Sequence, residues 1–192
     1  HIMSASSTRI GAFSELKLKH IQDMPNGCRS MLVYDDDKAE YTTFIHQEAV
    51  EALEGYLESR RNSGEVLGPD SWLIPSKHDV RFVNDTVSIR TQMSRYAHKG
   101  SVEIKKRGRY EKQANHAFRK RFDTICKNND SVNISNAEKL MGHSTTVPLD
   151  NHYHKPLLET LFDEYQKYIP QLLIDDSYRL QEQLKKKDEK IS

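Results

Sequence analysis

The chain has 192 residues, enough for one domain with an appendage. With 36% hydrophobic and 30% charged residues it can bury one core under a large wet surface, and no apolar run approaches the ~20 residues of a membrane-crossing helix. Net charge is +1, so the total argues for no anionic partner, and two distant cysteines, Cys28 and Cys126, exclude a disulfide scaffold and fit a reducing compartment.

The opening stretch, Ile2 to Leu16, reads as a helical hairpin broken near Thr8-Arg9-Ile10-Gly11. It begins abruptly, which points to a domain taken from a longer protein, and no basic-then-apolar leader marks a secretory signal. Three short strands are expected next, at Leu16–Ile21, Ser30–Tyr34 and Glu40–Ile45. Pro25-Asn26-Gly27 turns the chain between the first two, and Asp35-Asp36-Asp37-Lys38-Ala39 forms a polar hairpin tip between the second and third. Val50, Leu53, Tyr56 and Leu57 recur at helical spacing until Asn62-Ser63-Gly64 stops them. Gly68-Pro69-Asp70 and Pro75 punctuate a short extended piece around Trp72.

A second amphipathic helix is expected over Asp85–Tyr96, followed by a polar, basic stretch between Gly100 and Glu111. Helices are then expected over Asn115–Lys127, Asn136–Met141 and Leu157–Tyr168, with an interruption at Pro170 and a charged last helix from Asp175 to Ile191. Several helices with one small sheet make an α+β, mostly helical domain.

The neutral total hides a basic segment. Between residues 101 and 121, Lys105, Lys106, Arg107, Arg109, Lys112, Arg119, Lys120 and Arg121 face only Glu103 and Glu111. Such a run is either a solvated face or an anion site, and the anion it suits best is a nucleic-acid backbone.

Three short segments could carry chemistry. His116-Ala117-Phe118-Arg119 places a His and an Arg three apart on one helix face. Leu140-Met141-Gly142-His143-Ser144 reads as a helix end with a Gly turn and a His. Asn151-His152-Tyr153-His154 puts a tyrosine ten residues after His143. With Thr8-Arg9-Ile10-Gly11 in front, the order becomes Arg, Lys, His-x-x-Arg, His, Tyr.

This order resembles the catalytic domain of the tyrosine recombinases, the phage integrase family, and the resemblance runs from Ile2 to about Leu173. It implies helices around a small three-stranded antiparallel sheet, with residues 1–173 as the catalytic domain and residues 174–192 as a charged, partner-contacting tail. Tyr165-x-x-Tyr168-Ile169-Pro170-x-Leu172 is similar to archaeal integrases. Ser7-Thr8-Arg9-Ile10-Gly11-Ala12 takes the place of the turn that carries the family's first arginine. Lys38 is the hairpin's lysine, and Gly142-His143-Ser144 and Tyr153-His154 match the family's later motifs. Three positions depart from the pattern: Ala12 stands where an acid is usual, Lys120 where a histidine is usual, and the His143-to-Tyr153 spacing is about one residue long.

The resemblance implies six catalytic residues, Arg9, Lys38, His116, Arg119, His143 and Tyr153. A phosphodiester repels nucleophiles, and its transition state loads charge on the non-bridging oxygens. Guanidinium forks from Arg9 and Arg119 suit those oxygens. Tyr153 is the nucleophile, Lys38 the general acid for the leaving 5′-oxygen, His116 an aid to proton transfer and His143 a donor to a phosphate oxygen. Lys105, Lys106, Arg107, Arg109, Lys112, Lys120 and Arg121 are the DNA-backbone candidates. No metal, cofactor or ATP is implied. The implied partners are a double-stranded DNA attachment site and three further copies in a tetramer, with a monomer for an isolated fragment, no membrane and a cytoplasmic, nucleoid-associated location.

Plainer readings stand beside these. For Arg9 the alternative is a surface pair with Glu15, and for Lys38 it is solvated charge in an aspartate-rich tip. The rival functions are a non-catalytic DNA-binding relative, a type IB topoisomerase-like strand cutter, and a metal-dependent hydrolase built on His143, Asp150, His152 and His154. In the tail, the stripe Leu157, Leu158, Leu161, Phe162, Tyr165 and Ile169 suits either the domain's own core or an interface.

Overall fold

The structure is a computed structural model, and it describes residues 1–100, 106–107, 109–110, 116–129, 131–143 and 157–191. A short helix, α1 (Ile2–Ser6), ends at Ser7, which adopts a left-handed backbone with φ 55°. The chain then makes a 3-10 turn over Ile10–Ser14, so the second arm of the expected hairpin is tighter than an α-helix.

The sheet is antiparallel with strand order β1 (Ile21–Asp23), β2 (Arg29–Val33), β3 (Tyr41–Ile45). Its register pairs Ile21 with Met31 and Met31 with Thr43. The first strand therefore starts later than the expected Leu16. The backbone of residues 16–19 is engaged elsewhere: Leu73 N–H bonds Leu16 O at 2.8 Å, Leu18 N–H bonds Ser71 O and Lys19 N–H bonds Pro69 O. His20 N–H closes a turn onto Lys17 O, and its Nδ1 accepts from Lys17 N–H. Those donors are not free for the sheet.

Helix α2 (Gln47–Asn62) follows the sheet directly. Helix α3 (Thr86–Lys99) starts at Asp85, whose side chain accepts from Ser88 N–H as an N-cap. The polar, basic stretch holds a two-stranded ribbon, β4 (Lys106–Arg107) and β5 (Arg109–Tyr110), in addition to the three expected strands. Then come α4 (His116–Lys127) and α5 (Ile134–Leu140), the latter capped by Asn133 and begun one half-turn earlier than expected. Helix α6 (Leu158–Gln166) leads to α7 (Ile169–Leu172), and the last helix is α8 (Asp176–Ile191). Pro170 sits in the first turn of α7 rather than in a break, where its missing N–H costs nothing.

The sheet lies between two cores. Met31, Val33, Tyr41 and Ile45 pack with Ala5, Phe13, Leu16, Leu53, Leu73 and Ile89 on one side. Cys28 and Phe44 pack with Phe122, Leu140, Phe162, Tyr165 and Leu172 on the other. Alternating residues of β3 thus face opposite cores, as a pleated strand requires. Tyr165 is fully buried and donates its hydroxyl to Ala5 O at 3.0 Å, so the α6 stripe serves the chain's own core, while Leu157 and Leu158 stay exposed. No helix among the described residues is long and apolar enough to cross a membrane.

Candidate active site

The site forms where α5 ends. Gly142 N–H bonds Lys139 O at 2.9 Å and His143 N–H bonds Glu138 O at 3.0 Å, the paired closure of a helix whose next residue turns left-handed. Gly142 makes that turn at φ 59°. A Cβ at this position would lie 2.4 Å from Cδ1 of Tyr41, so the ring of β3 packs directly on the bare backbone.

The closure leaves two main-chain oxygens for the arginines. Arg9 Nη2 donates to Gly142 O at 3.2 Å. Arg119 Nη2 donates to Met141 O at 2.5 Å and its Nη1 to Ser7 O at 3.1 Å. Residues 110 positions apart in sequence therefore meet at one helix end, whose carbonyls carry partial negative charge. Arg119 is buried and Arg9 exposed. Burial first, and then the nearby charge of Arg9, lowers the basicity of Arg119. Neither guanidinium has a carboxylate within salt-bridge distance among the described residues, so the alternative pairing of Arg9 with Glu15 does not form. Two like charges held close without a carboxylate attract an anion, and each fork keeps N–H donors that these bonds do not use.

His143 follows immediately, half-buried, with Nδ1 2.5 Å from Glu138 Oε2. Tyr41 closes the other side. Its hydroxyl is buried and has no hydrogen-bond partner among the described residues. Burial raises its pKa, and Arg119, Thr8 and Arg9 lie near enough to pull it back. Tyr41 also begins the strand that returns from the hairpin tip. At the tip's other end Tyr34 takes φ 59°, unusual for a bulky residue, and its ring lies 6.3 Å from that of Tyr41.

Lys38 is exposed in that tip, with no ion pair among the described residues. The aspartates beside it have other partners: Asp35 lies 3.3 Å from His20, and Asp37 accepts from Ala39 N–H. His116 is exposed at the start of α4. Tyr153 lies outside the described residues, as do His152, His154 and Asp150 of the metal alternative.

Among the DNA candidates, Lys105 and Lys112 lie outside the described residues, and Lys106, Arg107 and Arg109 are described by backbone alone, in the ribbon. Lys120 is exposed on α4. Arg121 is engaged internally: it donates to Gln171 O at 2.6 Å, Leu172 O at 3.2 Å and Ser4 Oγ at 3.1 Å.

Two of the features that escaped sequence reading lie close to this chemistry. One is Tyr41, which only the register of the sheet brings to Gly142. The other is α3, whose exposed Arg90, Arg95, His98 and Lys99 sit on a helix without a single acid. Counting charge by helix rather than by run would have found it.

No protein-family model and no curated protein sequence matches the chain. Solved structures do. XerA recombinase aligns with a TM-score of 0.57 and 20% identity over 87% of this chain and 55% of its own. XerH site-specific recombinase, bound to difH substrate in a pre-cleavage complex, gives 0.58 and 18% over 83% and 42%. The Tn1549 transposon integrase, in complex with transposon right end DNA, gives 0.52 and 18% over 86% and 56%. The chain thus spans about half the length of these proteins. Its fold is the one seen in these recombinases and this integrase.

Proposed function

We propose that this chain is the strand-cutting domain of a site-specific DNA recombinase of the integrase type. The observation that carries the reading is the meeting of Arg9 and Arg119 on the carbonyls of Met141 and Gly142, with His143 next in the chain. Two guanidinium forks with no carboxylate of their own are suited to a tetrahedral phosphate that gains charge as it is attacked.

In this reading the Tyr153 oxygen attacks phosphorus and loses its proton, with His116 as the aid to that transfer. The bond to the 5′-oxygen breaks, and Lys38 gives that oxygen the proton that makes it a 5′-hydroxyl. A 3′-phosphotyrosyl link remains, of similar energy to the bond it replaced, so a 5′-hydroxyl can reverse the step without ATP. The exposed Lys120, the basic ribbon and the acid-free helix α3 supply contacts to the duplex backbone, and copies assemble as a tetramer on two duplexes.

The test uses nicked duplexes from a random-sequence library, in which loss of a short strand traps the cut state. Wild-type protein is expected to yield a protein–DNA band that survives denaturant, and Tyr153→Phe none. Lys38→Ala is expected to slow the trapping of ordinary DNA by roughly 100-fold, yet to work near the wild-type rate when sulfur replaces the leaving 5′-oxygen, because a thiolate leaves without a proton. Retained DNA without any covalent band would overturn the recombinase reading in favour of a binding protein.

A further inference from the structure

Glu138 is the acid of this site. It lies in the last turns of α5, four residues before Gly142, and its carboxylate reaches His143 Nδ1 at 2.5 Å. A carboxylate only accepts, so Nδ1 must carry the proton. The turn after Arg9 cannot play this part, since Ile10–Ser14 holds no acid and Ala12 is fully buried. From α4, Lys127 stands 3.5 Å from Glu138 and is itself bonded to Asp123 at 2.7 Å. Arg119 lies in the field of Glu138, which favours its charged form, as the neighbouring Arg9 does not.

We propose that Glu138 is the positioning residue of the site: it fixes the ring of His143 with Nδ1–H inward and Nε2 outward. This deepens the recombinase reading and takes its purpose from it. In its protonated form a ring so held donates Nε2–H to a phosphate oxygen in one orientation, with no rotation left to pay during the reaction. The same helix end thus sets the arginines through its carbonyls and the histidine through a side chain.

The decisive measurement needs no DNA. Long-range proton–nitrogen NMR of the free chain, at a pH where the ring is neutral, is expected to show His143 protonated at Nδ1. In Glu138→Ala that preference should give way to the Nε2–H form usual in water. A wild-type ring protonated at Nε2, or an Nδ1–H ring that persists in Glu138→Ala, would overturn the proposal. The wild-type spectrum alone keeps it falsifiable if the variant does not fold. On DNA that the wild-type chain traps, Glu138→Gln is expected to slow the covalent step by roughly 10–100-fold with duplex affinity within about twofold, and Glu138→Asp to recover part of the rate. Equal loss of affinity and rate would assign Glu138 a merely structural role and overturn the proposal. A chain that never traps DNA sinks the recombinase reading, while the NMR result still decides the pairing of Glu138 with His143.

Discussion

Gly142 meets two demands at once, a left-handed backbone and the absence of a side chain beneath Tyr41. Gly142→Ala must strain the turn and displace a ring of β3, and it is expected to cost about 2 kcal/mol or more in urea unfolding. Tyr41→Ala, by opening space, should recover part of that loss in the double variant. His46 shows a different residue-scale constraint. It is buried at the start of α2, and neither ring nitrogen has a hydrogen-bond partner among the described residues. Burial holds its pKa down from 6.5 to about 4, against Glu48, which raises it, and with the N-terminal amine and Arg121, which lower it. The unfolded chain therefore binds the extra proton first as pH falls. Stability is full above about pH 6.5 and falls toward pH 4, by about 3 kcal/mol from this group. Urea midpoints taken across that window should slope in the wild type and flatten in His46→Gln.

At the scale of elements, α4 assigns adjacent basic residues to different work. Arg121 grips the carbonyls of Gln171 and Leu172, which fastens α7 to α4. Lys120 is exposed beside it. Arg121→Ala is expected to lower stability by about 2 kcal/mol, whereas Lys120→Ala should leave stability unchanged and reduce the salt dependence of DNA binding by about one ion. Sequence patterning separated none of this, because both residues belong to one basic run. It did place α2, α3, α4, α5 and α6 within a few residues, since their apolar spacing and caps are local properties. It mistook Leu16–His20 for strand because those residues have strand-like alternation, and the partner that claims their backbone, residues 69–73, lies more than fifty positions away. The candidate site was legible as residue types, Arg9, Arg119, Gly142 and His143. Its acid and its tyrosine were not, because Glu138 looks like any helix-surface glutamate and Tyr41 becomes informative only through the register of β3.

Across the whole molecule, the sheet is shared by two cores, and the tail enters from the side. Glu48 on α2 accepts from Ile174 N–H at 2.9 Å and Asp175 N–H at 3.2 Å, and Arg179 folds back onto Leu173 O. Beyond that root, Leu180 and Leu184 of α8 are each 60% exposed. Removing residues 176–191 is accordingly expected to shift Tm by less than about 4 °C, while any assembly on DNA that depends on the tail should be lost in sedimentation.

The oxygen atoms that grip the two guanidinium groups belong to peptide units, and every amino acid provides one. The grip itself therefore asks nothing of the side chains at positions 7 and 141, which burial and, at Ser7, a left-handed backbone constrain instead, while Gly142 is pinned by its own turn and by the ring of Tyr41. A cradle made of main chain is kept by shape rather than by spelling.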